Sequence, residues 1–476
     1  MVSFTTTSLS TNRQREKMTG AFIPENPTRR GRAGACIVEN APSKHVAFGH
    51  CSRKHQAKRL TRFAGSLILL TLLFTWRASA QRTYTREEIR EQFRKTNPTL
   101  QADLVNIDES RAMEITAFLR PNPTLSFLLD QFTIFPTPNT PYRPVAGVLE
   151  SGSISYLYER EHKRDLRLES AKKGTGIAVD AHTDLERNLL FTLRNAFVQA
   201  LQAKAFFDIA KANLEYWDKV VQVSKDRFQA GDIARIDLSR IILQRTQYET
   251  DYVNAQVNLR TAKIALLMLL NDRTPVEKFD VTGPYDFHDQ LLPLEEFRQI
   301  AMATRPDLKA AVDAVDKAKT DNRLAVANGS ADPSFGGDIG RNPPLPSYVG
   351  FSLTLPLRIF DKNQGEKLRT RLDIDRAGKA RMAVEAQVLS DVDTAYATIK
   401  STLELLGPYK TQYLPEAVDV RETVTFAYQR GGASLLDFLD AQKEYRDTQL
   451  NFVNLVGAYL TAASQLNLAV GREVIQ

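Results

Sequence analysis

A chain of 476 residues has room for two or three ordinary domains, and its formal charge of +7 looks basic. The excess is local: residues 1–80 hold 13 Lys+Arg against 3 Asp+Glu, while the remainder holds 50 against 53. No sustained basic face is left to argue for nucleic acid as a partner.

In the leader, Arg59 and Arg62 precede an apolar run from Phe63 to Trp76, followed by Ala78-Ser79-Ala80. A charged region, a short hydrophobic region and a small-residue cleavage site, in that order, read as a secretory signal. The run is short for a transmembrane helix, and a membrane anchor is the alternative reading. Cleavage after Ala80 leaves Gln81 first, and no Cys follows the run to take a lipid. Residues 1–58 have no place before a signal peptide and read as a start assigned too early. Cys36 and Cys51, the only cysteines, lie in this leader, so the rest of the chain has no disulfide or thiolate. His162, His182 and His288 are never paired at helical intervals, so no metal or other cofactor is expected.

From Thr85 to Leu119 the pattern is helical, with a break at Asn97-Pro98. A β-like run then goes from Leu125 to Phe135, a Pro-rich loop spans Pro136 to Pro144, and a second alternating segment covers Ser153 to Tyr158. A long helix begins near Lys163 and continues to Gly231, on the order of 100 Å at 1.5 Å per residue. Its seam includes Leu189, Ala196, Ala203, Phe207, Ala210, Leu214, Trp217 and Val221. After the turn the three-four spacing resumes through Leu238, Ile241, Arg245, Tyr248, Tyr252, Ala255, Leu259, Ala262, Leu266 and Leu269, the mark of a coiled coil. His162-Lys163-Arg164, beside a strand end, reads as a solvated cluster.

The second half replays the plan. Leu294 to Thr304 is short and amphipathic, and Arg305-Pro306-Asp307 opens a helix from Leu308 to Ala327. Pro333 to Gly340 and Tyr348 to Leu357 read as strands around a second Pro-rich loop, and Val349, Phe351, Leu353 and Leu355 alternate with Gly350, Ser352 and Thr354. A long helix resumes near Asn363 and runs toward Gly431, with Gly407-Pro408 and Pro415 obliged to kink or interrupt it. The seam after Gly431 runs Phe438, Ala441, Tyr445, Thr448, Phe452, Leu455, Tyr459, Ala462, Leu466 and Ala469, in the register of the first copy. Phe228-Gln229-Ala230-Gly231 and Tyr428-Gln429-Arg430-Gly431 stand 200 positions apart, each followed six residues after its Gly by an acid, Asp237 and Asp437. Gly231 and Gly431 suit the positive φ that ends a helix and reverses the chain.

The chain therefore divides into a leader over 1–80 and two structural repeats, 81–290 and 291–476. The first holds strands at 123–135 and 151–160 and a hairpin at 163–271; the second holds strands at 333–340 and 347–357 and a hairpin at 363–471. The fold class is mainly α with a small β part: duplicated long helical hairpins and four strands. Four strands are too few to close a barrel alone, but several copies could close one together.

These features resemble outer-membrane efflux proteins of the TolC family over nearly all of Thr85 to Gly471, on the duplicated hairpin, the strand pairs and Tyr428-x-x-Gly431-x-x-x-x-x-Asp437-x-x-Asp440-Ala441. The stretch Leu355-Pro356-Leu357-Arg358-Ile359-Phe360-Asp361-Lys362-Asn363-Gln364-Gly365 resembles the CzcC-like branch of heavy-metal efflux. The resemblance implies a homotrimer with a shared β-barrel in outer-membrane lipid and an α-helical tunnel in the periplasm. It also implies a periplasmic adaptor protein and an inner-membrane efflux pump as partners, for a passive, gated exit duct that is not an enzyme. It places acidic rings at Asp437 and Asp440, a latch at Asp237 and Tyr428, and adaptor contacts at the tips marked by Phe228, Gly231 and Gly431. The family's Arg two residues after the second Gly is Ala433 here, so one latch interaction is missing. Simpler roles compete: Asp237 and Asp437 suit the positive end of a helix dipole, and Trp217, Tyr445 and Tyr459 suit seam packing. A periplasmic adaptor would have one hairpin among many soluble strands, a purely structural coiled coil would have no use for the strand pairs, and a porin would have more strands. No nucleophile motif, metal spacing or phosphate loop supports an enzyme. Cargo stays open between metal cations, drugs and, through a type I secretion system, proteins.

Overall fold

The computed structural model describes residues 82–132, 148–288, 290–343 and 345–475, all within one unit, Ala78–Gln476. The leader with its signal, cleavage site and cysteines, the end of the first strand run from Thr133 to Phe135, and the loop Pro136–Pro144 lie outside the described residues.

Elements follow in chain order as β1 (Arg82–Tyr84), α1 (Arg86–Thr96), α2 (Pro98–Phe118), β2 (Thr124–Asp130), β3 (Leu149–Leu157), α3 (Lys163–Ala230) and α4 (Arg235–Leu269). The second half gives β4 (Phe279–Val281), α5 (Leu294–Thr304), α6 (Pro306–Ala327), β5 (Ser334–Arg341), β6 (Tyr348–Thr354), α7 (Gln364–Pro408), α8 (Leu414–Gln429) and α9 (Leu435–Val470). Asn97 ends α1 and caps α2, its Oδ1 accepting from the Thr99 and Leu100 amides, so the Asn-Pro break becomes a cap.

The helices α3 and α4 form the first hairpin, and α7, α8 and α9 the second, while α2 and α6 pack along α3. Helix α3 is 68 residues, about 100 Å long, and unbroken. Its counterpart is interrupted where the prolines stand: α7 ends at Pro408, a π turn spans Tyr409–Tyr413, and Pro415 lies in the first turn of α8. Proline lacks an amide hydrogen and crowds the carbonyl four residues back, and a wider turn accommodates both faults without ending the rod.

Burial on α4 keeps the a/d seam at Ile241, Tyr248, Ala255 and Leu266. On α9 it is broader, with Val453, Val456, Gly457, Ala463 and Val470 joining Tyr459, Ala462, Leu466 and Ala469. That helix packs on α3 as well as on α7 and α8, so it buries two faces rather than one stripe. Gly457 lies against the amide end of Gln202 on α3, which a Cβ there, 2.8 Å away, would displace.

A two-stranded parallel pair, Arg82–Tyr84 on Phe279–Val281, ties the chain before α1 to the segment between α4 and α5. The larger sheet is antiparallel with order β2-β3-β5-β6, so the two halves join between β3 and β5. Its register aligns Leu125 with Ile154, Ile154 with Gly337 and Gly337 with Phe351; the next row aligns Phe127, Gly152, Ile339 and Val349. Paired residues share a face, so one face is apolar, and its side chains are bare: Phe127 is 80% exposed and Phe351 92%. The other face carries Ser126, Ser153, Asp338 and Gly350 in one row and Thr124, Ser155, Gly336 and Ser352 in another. Among the described residues no helix is long and apolar enough to cross a membrane.

The strand-to-helix junctions correct one expectation. Lys163 is not part of a solvated cluster: its side chain is 3% exposed, and its ammonium donates to Ser330 O at 2.8 Å and lies 2.7 Å from Asp332 Oδ2. The left-handed backbone at Glu161 and His162 turns the chain inward so that Lys163 pins α3 to the α6–β5 link. Asn363, also left-handed, does the same for the second half through Nδ2 to Ala325 O at 2.8 Å. His162 itself stays exposed.

Candidate gate at the hairpin tips

Both hairpins turn by the same local chemistry. Gly231 has φ +85 and Gly431 φ +77. The Gly231 amide donates to Phe228 O and the Asp232 amide to Arg227 O; Gly431 and Gly432 donate likewise to Tyr428 O and Ala427 O. These Schellman closures satisfy carbonyls that the helix ends would leave open. Phe228 is 38% exposed at its tip.

The helices after the turns begin differently. Ser434 caps α9 in a capping box: Asp437 N donates to Ser434 Oγ at 3.1 Å, and Asp437 Oδ2 accepts from Ser434 N at 3.0 Å and Ser434 Oγ at 2.7 Å. Those bonds hold the Asp437 carboxyl below its ordinary range. Ala234 at the start of α4 has no side chain to cap with, so Asp237 has no such box. Asp440, one turn beyond Asp437, is exposed. The capping role weighed for Asp437 is therefore present in the geometry, alongside whatever its charge does in an assembly.

Tyr428 and Asp237 lie on different hairpins of one chain, near enough for the carboxylate to act on the phenol through its charge. Burial raises the Tyr428 phenol above its ordinary value, with the Arg227 guanidinium lowering it and the Asp237 carboxylate raising it further. Arg227 lies over the Tyr428 ring at 5.7 Å, and the other side of the cluster is Phe438, stacked on Tyr428 with centroids 4.8 Å apart. Beneath them Trp217 is fully buried, stacked on Tyr248 at 5.0 Å and 6.0 Å from Phe438. Trp217 and Tyr459 are thus packed, as expected of seam residues, while Tyr445 carries the Arg421 guanidinium over its ring at 4.0 Å.

Two further residues bridge the hairpins with no precedent in the sequence reasoning. Gln442 is buried and donates to Tyr216 Oη at 3.2 Å and Thr425 Oγ1 at 3.0 Å. Arg446 reaches Asp251 at 3.4 Å and lies over the Tyr248 ring. Arg430, three residues before Ala433, stacks on the Phe426 ring at 4.3 Å, within its own hairpin. Gln442 follows the seam residue Ala441, and a polar residue beside a seam is the signal that could have marked it.

The described residues hold no group of three or more His, Cys, Asp or Glu that could bind a metal. Comparisons with known proteins agree with the architecture. Residues 297–472 match the family model for outer membrane efflux proteins. The cobalt-zinc-cadmium resistance protein CzcC of Cupriavidus metallidurans is 21% identical over 79% of this chain and 87% of its own length. The solved structures of CusC, with a TM-score of 0.69 and 16% identity, and of the outer-membrane channel OprN, with 0.67 and 17%, each cover 81% of this chain and about nine-tenths (92% and 89%) of their own. The second half of the chain thus matches the family model of outer membrane efflux proteins, and most of its length is similar to CzcC and shares the fold of CusC and OprN.

Proposed function

We propose that this chain is the outer-membrane exit duct of a tripartite efflux system, a passive channel for substrate that an inner-membrane pump delivers through a periplasmic adaptor. The observation that carries it is the sheet β2-β3-β5-β6, with one bare apolar face, one polar face and two unpaired edges. An apolar outer face belongs in lipid and a polar inner face around water, and lipid tolerates no open edge. Copies pairing β6 of one chain with β2 of the next remove the edges, and three copies give a twelve-strand barrel. Continuing the barrel, the hairpins form a periplasmic tunnel closed at its tips.

In that assembly, exposed Asp440 and the outward oxygen of Asp437 place rings of negative charge at the mouth. Arg227, Tyr428 and Asp237 latch one hairpin to the other, and Phe228 with the Gly231 and Gly431 turns is the surface an adaptor meets. Opening moves the tips between two packings. CzcC, by its name a cobalt-zinc-cadmium resistance protein, supports divalent metal cations as cargo. The test is planar-bilayer conductance of detergent-purified protein beginning at Gln81, beside an Asp437→Ala/Asp440→Ala variant. A cation-selective conductance that loses selectivity in the variant supports the duct. Protein that needs no detergent and gives no conductance overturns it.

A further inference from the structure

Away from the tips, α1, α3, α9 and the segment after it line an open pocket of about 290 Å³. Six arginines and two glutamates line it, together with the apolar side chains of Ile89, Leu190, Phe191, Phe197 and Leu468.

The carboxylates present are over-shared. Glu473 is approached by Arg86 at 3.3 Å, Arg90 at 3.5 Å and Arg194 at 3.9 Å, all longer than a good charge-assisted hydrogen bond. Glu186 is engaged by Arg94 at 2.5 Å, and Arg187 is turned to Asp184 and the Leu468 carbonyl. Arg90 Nε is buried with no hydrogen-bond partner. The Arg194 side chain is 12% exposed, and burial, with Arg86 beside it, pushes its guanidinium down to about 10 from 12.5 despite Glu473. A guanidinium is a planar donor suited to a bidentate oxyanion, and a buried donor left unpaired is costly. Arg86 also meets Glu87 at 3.4 Å and Arg194 donates to Ile475 O at 3.3 Å, which leaves three guanidinium groups against two carboxylates, so one more anion set among Arg86, Arg90 and Arg194 would balance the cluster.

We infer that this pocket is a binding site for a small organic anion, a phosphate or carboxylate head on a compact apolar body such as a single ring. The arginines take the head, and Leu190, Phe191 and Phe197 take the body. The volume lies at the lower end of ligand pockets, which suits a single-ring molecule. The site is remote in sequence from both tips, and the inference does not depend on the duct reading.

Isothermal titration of the detergent-purified full chain decides it, with phenyl phosphate, benzoate, inorganic phosphate and benzyl alcohol as probes. Phenyl phosphate or benzoate should bind saturably, at least tenfold tighter than benzyl alcohol and tighter than inorganic phosphate, and weaken with salt. Arg194→Gln and the more exposed Arg90→Gln should each weaken it about tenfold. Arg90→Gln keeps the test alive where the buried Arg194→Gln fails to fold. Absence of saturable binding by either aromatic anion overturns the proposal. So does equal binding of benzyl alcohol, inorganic phosphate binding as tightly as phenyl phosphate, or unchanged affinity in a folded arginine variant. The bilayer conductance is read separately, so its failure is distinguishable from failure here.

Discussion

The aromatic stack beneath the tips sets how firmly the two hairpins hold each other, and Trp217→Ala tests it. Trp217 is 1% exposed and touches Tyr248 of its own hairpin and Phe438 of the other. Removing a buried tryptophan costs about 3–5 kcal/mol through lost transfer energy and the cavity left behind. The Phe438 contact alone accounts for roughly 0.5–1.5 kcal/mol. Because the Tyr248 contact lies within one hairpin, only the Phe438 contact enters the closed-to-open balance, and the variant shifts that balance roughly two- to tenfold. Trp217→Phe keeps a ring in place and should shift it less. Hydrogen exchange reads the opening directly: amides in the first turns of α4 and α9 should lose protection, while those around Tyr459, in a separate core, should not. Single-channel records should show longer openings in the same order of variants. Unchanged exchange at the tips and unchanged open time in Trp217→Ala would refute the stack as the clasp between hairpins.

Other outcomes follow from named contacts. Gly231→Ala and Gly431→Ala each place a Cβ in open space but at positive φ, so each should destabilise its turn by about 1–2 kcal/mol, seen as a lower thermal midpoint. Phe351→Arg on the apolar face should cost about 2–4 kcal/mol of folding into bilayers, whereas Ser352→Arg on the opposite face should cost little; reversal of that order would contradict the assignment of faces. Asp280 lies between Lys204 at 2.6 Å and Lys263 at 2.9 Å. Burial alone would raise its carboxyl, but the hydrogen bond from Lys204 and the ion pair with Lys263 outweigh that and hold it below its ordinary value. A depressed carboxylate contributes stability above its unfolded pKa, near 4, and loses it as pH falls through the folded value. Acid unfolding should therefore flatten in Asp280→Asn, which also loses about 3–5 kcal/mol near neutrality because Lys263 is left buried without its partner.

Much of the fold was legible because periodicity records which face is buried. The three-four spacing from Leu238 to Leu269 and from Phe438 to Ala469 marks the helices after the turns, and the alternation at Val349–Leu355 marks an edge strand. The prolines told where the second rod changes but not that a π turn would carry it through. The β1–β4 pair was invisible, since strands of three residues far apart in sequence leave no pattern. Lys163 was misjudged because a lysine beside a strand end is ordinarily solvated, and only the left-handed backbone before it turns it toward Asp332. At the tips the residue types were readable, but partners such as Arg227, Gln442 and Arg446 depend on which helices meet. Ser434-x-x-Asp437 is a capping signature that the sequence displays openly, and it competes with the ring reading at the same residue.

The central claim is that the sheet closes between copies in a membrane, and disulfide trapping across its edges tests that most directly. Within one chain β2 and β6 are separated by three strand spacings, about 14 Å, twice the reach of a disulfide. With Cys36 and Cys51 replaced, single cysteines placed along Leu125–Asp130 and along Val349–Thr354 of the same chain can join only different copies. The account predicts that one register, oxidised in outer membranes, gives a covalent species of three chains that survives denaturant and disappears on reduction. No cross-link at any register, from protein that is present and folded in those membranes, would contradict it.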